Sequence, residues 1–425
     1  MEAHVQSKHQ DELLPSMRYD SEPTASYIES CRMVRFRPAA GDRYSPAQRT
    51  IRFNLQDHCW LEPSSVRLQF QLNNLDATNN LIPLAHPMSM FVNIKLYAGG
   101  QLVENIEELG PLANILDKLK PYVRRVNDSM MSHTLKQGSG HLDSRSHVPN
   151  ADSRRCITEL PLGLFKSGKL IPLHLLAGLT VELTLGDADQ AFDSTHAPTW
   201  DISDCSMLAS CISVNSTISV QYHNHLAQGL EMPISFTSVV GARHVVTNQS
   251  FTLSLARSLT HLKQLFFVIV STAQGKVEVK DFEINCVGST GADGAEGERI
   301  SLARDAFTWQ VQLGSRRYPD FPVVGVAESY YRLTQSAGIA GNLEDMSLTP
   351  QAYVNGTGAV FGINFEKLGD QAAFSGVNSQ GQVMTLTASN AWPSTDATPR
   401  HVFCYQVFDS ILNIRGLAGG VDIVD

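Results

Sequence analysis

The sequence predicts an all-β protein with two tandem β-sandwiches behind a polar N-terminal arm. Short runs alternate between apolar and polar residues with a period of two, as strands with one buried face do. The same order of strands around one short helix recurs in the second half, in pattern and not in residue identity. The 425 residues also exceed the size at which one core usually keeps growing. We therefore divide the chain into an arm over 1–45, a first sandwich over 46–225 and a second over 226–425.

The first sandwich begins with clear strand patterns. In residues 66–72, Val, Leu and Phe alternate with Arg and Gln, which predicts a strand with one buried and one solvent-exposed face. Residues 51–55 and 91–97 repeat the alternation. Residues 107–120 change to helical spacing, and Pro121 predicts the end of that helix.

Polar and apolar segments then follow each other to the end of the first half. Polar residues 126–158 predict one long surface loop, and residues 186–204 predict a second loop rich in Asp. Between them, apolar residues 160–185 predict two or three strands with tight connections. Residues 212–222 alternate again and are expected to close the first sandwich. Residues 223–235 are the expected connector.

The second half contains strand patterns and a short helix, predicted around 327–333. A Gly-rich stretch at 288–297 is interpreted as a surface loop, because it is too short and too poor in Pro for a collagen repeat. Strands are predicted at 251–255, 262–270, 307–313, 361–365, 383–386, 402–408 and 411–414, with a final edge strand at 419–425.

Composition and charge argue against several classes of function. Charged residues make up 18% and hydrophobic residues 43%, which is ordinary for a globular protein, and the formal net charge is −9. The chain contains no long Lys/Arg run, so a basic groove for nucleic acid is not predicted. The short arginine pairs at 124–125, 154–155 and 316–317 are interpreted as solvated surface or local salt bridges.

The sequence also indicates the kind of compartment. No apolar run approaches the ~20 residues that span a bilayer, and residues 1–15 lack the apolar region of a signal peptide, so secretion by the usual route is not expected. The seven cysteines are odd in number and form no C-x-x-C pair. Neither a disulfide framework nor a zinc knuckle is therefore predicted, and a reducing compartment is the simplest inference.

Three patterns were weighed as sites, and none supports a predicted catalytic, cofactor-binding or metal-binding residue. His223 and His225, with Glu231 nearby, would share one face if they lay on a strand, as in a metal site. In jelly-roll metal enzymes a Gly normally precedes such a pair at a fixed spacing, and that Gly is missing here. Glu231 also follows the pair too late, so the segment is interpreted as a polar connector. Residues 356–362 resemble a dinucleotide loop with a misplaced third Gly. The acidic residues Asp187, Asp189, Asp201 and Asp204 match no calcium loop.

Several short segments of the sequence resemble segments of viral double jelly-roll major capsid proteins. This lineage includes adenovirus hexons and the Polinton, adintovirus and virophage capsid proteins. The first-half segments lie at 60–63, 65–70, 86–96, 99–105, 160–165, 170–173 and 179–183, and the second-half segments at 374–378 and 402–408. The resemblance covers most of residues 46–425. The chain lacks the very long tower insertions of adenovirus hexons.

The resemblance implies two eight-stranded jelly rolls side by side and a structural function. Three copies would form a pseudo-hexagonal homotrimeric capsomer that tiles the icosahedral shell of a DNA virus. The implied location is the virion, and the implied partners are neighbouring capsomers and penton and minor or cement capsid proteins, without sequence-specific nucleic-acid binding. Two alternatives stay open at this point: a glycan-active or metal-dependent jelly-roll enzyme, and a β-sandwich adhesin or lectin.

Overall fold

The computed structural model describes residues 27–83, 86–132, 148–192, 199–273, 276–277, 306–338, 348, 353, 359–366, 375–392, 398–415 and 420–424. Within these ranges the chain forms two β-sandwiches, one after the other, from antiparallel strand pairs. The predicted all-β fold class is confirmed. No helix in the described ranges is both long enough and apolar enough to cross a membrane.

The first sandwich packs a large sheet against a four-stranded sheet. Its strands are β1 (Ile28–Phe36), β2 (Arg43–Tyr44), β3 (Thr50–Leu55), β4 (Trp60–Leu61), β5 (Arg67–Asn74), β6 (Phe91–Ala98), β7 (Gln101–Glu107), β8 (Ser153–Glu159), β9 (Ile171–Pro172), β10 (Leu179–Leu185) and β11 (Trp200–Val214). Its helices are α1 (Leu109–Leu119), α2 (Tyr122–Ser132), α3 (Ala188–Ala191) and α4 (Ser216–Ala227), which leads into the second sandwich. The large sheet runs β8-β5-β11-β4-β9, with β1 and β2 also paired to β11, and the small sheet runs β3-β10-β6-β7.

The second sandwich has the same two-sheet construction. Its strands are β12 (Glu231–Val246), β13 (Phe251–Leu255), β14 (Leu262–Ala273), β15 (Lys276–Val277), β16 (Thr308–Leu313), β17 (Arg316–Val324), β18 (Val360–Asn364), β19 (Met384–Ser389), β20 (Arg400–Arg415) and β21 (Gly420–Val424). One helix, α5 (Gly325–Ser336), follows β17. The large sheet runs β12-β20-β14-β15, with β18 paired to β14 and β21 to β20, and the small sheet runs β13-β19-β16-β17.

Eight strands of the first sandwich correspond to eight strands of the second, in chain order and in sheet order. The large sheets share the order β8-β5-β11-β1 and β18-β14-β20-β12, and the small sheets share β3-β10-β6-β7 and β13-β19-β16-β17. Helices α1 and α5 both follow the hairpin at the edge of the small sheet. Two four-stranded sheets in this order form the jelly roll, so the expected pair of eight-stranded jelly rolls is confirmed.

The strand alternation that the sequence predicts sets the cores of both sandwiches. In β10, Leu179, Val181, Leu183 and Leu185 are buried and the residues between them are half-buried. Aromatic rings then join the facing sheets. In the first sandwich the Phe70 and Phe91 rings meet edge to face at 5.8 Å, and in the second the Phe267 and Trp309 rings do so at 5.2 Å. Such pairs add specific geometry to the burial of apolar area.

The prediction of one long loop at 126–158 is wrong in part. Helix α2 extends into the range from Tyr122, and β8 occupies its end. Ion pairs hold this polar helix, with Arg125 Nε 2.7 Å from Asp117 Oδ2 and Lys120 Nζ 3.2 Å from Asp128 Oδ2. Helix α2 is polar on average, so its composition resembles that of a surface loop. The predicted loop at 186–204 likewise contains α3 and the start of β11.

The prediction that 212–222 is a closing strand is also wrong beyond Val214. The side-chain oxygen of Asn215 accepts a hydrogen bond from the backbone N–H of Thr217 at 2.9 Å, which caps the start of α4. The alternating residues that follow therefore lie on a helix. The predicted connector at 223–235 is the end of α4 followed by the start of β12.

Strand β1 lies within the range predicted as an arm. It pairs with β11 from Ile28, opposite Val214, to Phe36, opposite Met207, so residues 28–36 belong to the first large sheet. Residues 1–26 lie outside the described residues, as do the Gly-rich stretch at 288–297 and most of the polar stretch before β18. The division of the chain at 45/46 and 225/226 stays a prediction.

Candidate functional site

The histidine pair weighed as a metal site lies on a helix and not on a strand. Both His223 and His225 belong to α4, where residues two apart point in different directions. The His223 ring stacks on His174 with centroids 5.9 Å apart, and its Nδ1 is 2.9 Å from the carbonyl oxygen of Ser219. Glu231 forms an ion pair with Arg415 at 2.7 Å. The premise that both imidazoles share one strand face is therefore wrong.

Three of the four acidic residues that were compared with a calcium loop are engaged with different arginines. Asp201 lies 3.2 Å from Arg43, Asp204 lies 2.6 Å from Arg155, and Asp187 pairs with Arg49. Asp201 also accepts a 2.6 Å hydrogen bond from Asn73. The side chain of Asp189 lies outside the described part of the chain. So do residues 356–358 of the segment that resembles a dinucleotide loop.

The donor atoms of Asp57, Cys59 and Cys211 lie within 4.8 Å of one another, the one such group found in the described residues. Arg32 already pairs with Asp57 at 2.8 Å. Burial raises the pKa of the Cys59 thiol, and the pKa of Cys211 is raised for the same reason. Neutral buried thiols pack as small apolar groups, and these contacts account for the cluster as packing beside a surface ion pair.

The most heavily constrained contact in the described residues is the one between the two sandwiches, which we call the junction. It joins β7 and the short turn at 163–166 on one side to β12 on the other. A Cβ added to Gly163 would stand 1.8 Å from the carbonyl oxygen of Thr237, and one added to Gly241 would stand 2.3 Å from that of Glu107. Backbone therefore meets backbone at two positions where only glycine fits.

A buried carboxylate ties the junction together. The side chain of Glu104 accepts backbone N–H hydrogen bonds from Gly163 at 2.9 Å and from Leu164 at 3.0 Å, and it is also hydrogen-bonded to the Ser238 side chain on β12. Burial raises the pKa of Glu104 to about 7, although these hydrogen bonds favour its charged form. One side chain thus connects the turn and both sandwiches.

Further polar contacts extend the junction. The hydroxyl of Tyr405 donates a 2.7 Å hydrogen bond to the carbonyl oxygen of Glu108, and Tyr405 is fully buried. Arg243 on β12 lies 3.9 Å from the Glu108 carboxylate. Lys169 donates a 2.9 Å hydrogen bond to the carbonyl oxygen of Pro233. These contacts fix the two sandwiches relative to each other at several points.

An open cleft, with a volume of about 580 Å³, lies beside the junction near α4. On one side the Tyr222 ring packs against Trp60 with centroids 5.0 Å apart. The residues that line the cleft are Ile28, Trp60, Lys169, Leu170, Val214, Ile218, Tyr222, His225, Glu231, Met232, Pro233 and Ile234. The two sandwiches therefore meet tightly at Glu104 and loosely at α4.

Sequence reasoning missed the junction, although one signal was present. Glu104 stands between the buried residues Val103 and Ile106, and a carboxylate in an apolar strand usually has a buried partner. Its partners Gly163 and Leu164 come from a segment 59 and 60 residues further along the chain. A single sequence contains nothing that links the two segments.

No protein-family model and no curated protein matches the chain. Solved structures do match. The Faustovirus major capsid protein aligns with a TM-score of 0.64 at 9% identity, covering 95% of this chain and 93% of that one. A chain of the PBCV-1 virus capsid gives 0.60 at 13% identity, with 96% and 100% covered. The mavirus major capsid protein gives 0.55 at 10% identity, with 100% and 96% covered.

The likeness spans both sandwiches and nearly the whole length of each matched chain. At these identities, what the chains share is the arrangement of strands and not their residues. The repeated eight-stranded order described above is that arrangement. The chain therefore has the double jelly-roll fold, the fold of these viral capsid proteins.

Proposed function

We propose that this protein is a structural major capsid protein that trimerises into pseudo-hexagonal capsomers and tiles an icosahedral viral shell. The observation that carries the proposal is the pair of jelly rolls of equal strand order, aligned over nearly the full length of the Faustovirus and mavirus major capsid proteins. Three such chains present six similar lobes, so a threefold particle fills a sixfold position in a shell.

The junction supports this proposal because a tile must keep its two lobes in a fixed relation. Gly163 and Gly241 allow the sandwiches to approach backbone to backbone, and Glu104 bridges them from a buried position. A protein that occupies a fixed position in a shell needs such rigidity between its two domains. An enzyme would need a convergent set of reactive groups, whereas His223, Asp201 and Asp204 are engaged with separate partners.

The finer parts of the proposal concern location and partners. The protein would reside in the virion, contact neighbouring capsomers and meet penton and minor or cement capsid proteins. The formal net charge of −9 favours packaging of the genome through another, basic component over direct condensation by this protein. The adhesin or lectin and the jelly-roll enzyme, including the glycan-active one, gain no support from the matched structures.

Particle mass tests the proposal. We expect the purified chain at micromolar concentration to have the mass of three chains in light scattering, and electron microscopy to show particles with six lobes. A monomer that forms neither trimers nor larger shells under any assembly condition would contradict the proposal. Gly163→Ala should separate the two lobes of each chain because it disrupts the junction, and Gly110→Ala on α1 is the matched control.

The N-terminal segment offers a second test. Because β1 is paired within the first sheet, a deletion should stop before Tyr27 so that the jelly roll stays intact. We expect removal of residues 1–26 to leave trimers folded and to impair shell formation. Loss of the trimer on this deletion would show that the segment acts within the capsomer and not between capsomers.

A further inference from the structure

The internal repeat identifies which surfaces have no partner within the part of the chain that the structure describes. In the first sandwich, β7 is the edge strand of the small sheet, and the second sandwich covers it at the junction through β12. The counterpart of β7 is β17, the edge strand of the second small sheet. The counterpart of β12 is β1, since each pairs with the long strand β20 or β11 of its own large sheet.

The burial of these strands follows their place in the repeat. In β7, Val103, Glu104 and Ile106 are buried, whereas in β17 only Val323 is buried. In β12 most positions are buried or half-buried, whereas in β1 only Phe36 is buried. Among the described residues, the repeat thus leaves one strand of each kind without the cover that its counterpart has.

Both uncovered strands expose large apolar side chains. On β17, Phe321 is 60% exposed and Val324 is 48% exposed, and on β1, Met33 is 72% exposed and Ile28 is 44% exposed. An exposed edge strand with apolar side chains is usually covered in the working assembly, because it otherwise promotes aggregation. The two strands are therefore candidates for one shared interface.

Along the chain direction, the exposed charges of β17 change from positive to negative, and those of β1 change from negative to positive. Strand β17 begins with Arg316 and Arg317 and continues to Asp320, and all three are exposed. Strand β1 has exposed Glu29 near its start and exposed Arg35 near its end, and its third charged side chain, Arg32, forms an ion pair with Asp57 of the same chain at 2.8 Å. Side by side in the same direction, the two strands place opposite charges next to each other, whereas two copies of the same strand in that arrangement would oppose like charges.

We infer that β17 of one copy packs against β1 of the next copy, in the way that β7 packs against β12 within the chain. The inference rests on the proposed function and specifies its partner surface. A contact between two different surfaces is heterologous, and it closes into a ring when the rotation between copies divides a full turn. Three chains with one junction each and three such contacts give six equivalent places around the ring.

Charge reversal in the apolar surface gives the first test. We expect Phe321→Asp and, separately, Met33→Asp to weaken the trimer at least about thirtyfold, because each buries a charge at the centre of the contact. The matched control is Leu75→Asp, at an exposed position after β5 outside both strands. The midpoint of thermal unfolding of the monomer distinguishes loss of the contact from loss of the fold.

Cross-linking gives the second test and reports the direction of the contact. The full chain is prepared with Met33→Cys and Phe321→Cys on a Cys31→Ser background, since Cys31 is an exposed thiol on β1. A short bismaleimide should then link three copies into a covalent trimer, because each copy takes part in two contacts. With Phe321→Cys alone on the same background, we expect no cross-link.

The outcomes separate the inference from the function on which it rests. A covalent dimer from Phe321→Cys alone would mean that β17 meets β17, which overturns the inference. Trimers that survive both aspartate substitutions and do not cross-link would also overturn it while the capsid function stands. A chain that is monomeric before any substitution would overturn the proposed function itself.

Discussion

The two sandwiches meet at two places that differ in kind. At Glu104 the backbones are in contact, the side chain is buried and three hydrogen-bond partners converge on it. At α4 a cleft of about 580 Å³ lies between the sandwiches, and the aromatic pair of Trp60 and Tyr222 packs on one side of it. The relative position of the two sandwiches is therefore fixed at the Glu104 side, where the backbones are in contact.

Substitution of a junction glycine should have the largest effect on this comparison. In Gly163→Ala the new Cβ would stand 1.8 Å from the carbonyl oxygen of Thr237, so the backbones must separate. We expect the free energy of unfolding to fall by about 3 kcal/mol or more. Chemical denaturation measures it. Gly110→Ala on α1 is the control, because its Cβ would meet no atom closer than 3.3 Å.

The next effect is a pH dependence that belongs to Glu104. Its pKa of about 7 in the folded protein exceeds the ordinary value of 4.5, so the folded state holds the proton more tightly. The stabilisation is complete below the unfolded pKa and is lost as pH rises through 7. The loss amounts to about 3 kcal/mol at 1.36 kcal/mol for each pKa unit.

Glu104→Gln should remove that dependence. We expect the difference in unfolding free energy between the wild type and this variant to change by about 3 kcal/mol between pH 4.5 and pH 8. Denaturation curves at several pH values measure the difference, and other titrating groups cancel in it. Glu107→Gln, at an exposed position of the same strand, is the control. A constant difference for Glu104→Gln would contradict the assignment.

Removal of the Tyr405 hydroxyl should have a smaller effect. Tyr405→Phe leaves the carbonyl oxygen of Glu108 without its 2.7 Å partner. We expect a loss of about 1–2 kcal/mol, the cost of an unpaired buried acceptor. Tyr331→Phe provides the control, because Tyr331 is exposed and accepts its hydrogen bond from Gln335. Equal effects from the two substitutions would show that the junction is less tightly closed than the contacts indicate.

The smallest effect should come from the cleft side. Tyr222→Ala removes the ring that packs on Trp60 from a partly exposed position. We expect less than about 1 kcal/mol in unfolding free energy, because the cleft already admits water beside this ring. If thermal unfolding of this variant matched that of Gly163→Ala, the contrast between the closed and open sides would fail.

The sequence predicts the parts of the fold that have strong periodicity. The strands around 51–55 and 66–72 and the helix after β7 follow from apolar spacing of two and of 3–4 residues, and the structure contains them. Helix α5 and the final edge strand β21 are likewise where the sequence places them. Each of these elements buries one face, so the spacing of its apolar residues predicts whether it is a strand or a helix.

Helices α2 and α4 were predicted as loop and as strand. Helix α2 is polar on average, as a loop is, and α4 buries only Leu226 and alternates in sequence as a strand does. The junction could not be predicted for a different reason. Glu104 and Gly163 meet only once both sandwiches have folded, and no local pattern in one sequence encodes that contact.

The pairing of β12 with β20 has a mechanical consequence. The two strands are in register over sixteen residue pairs, from Glu231 with Arg415 to Val246 with Arg400. A pull along the strand direction loads the hydrogen bonds of this ladder together, whereas a pull across it would open them one after another. Because β12 also forms the junction, a force that the first sandwich applies along β12 is shared by all sixteen pairs of the ladder.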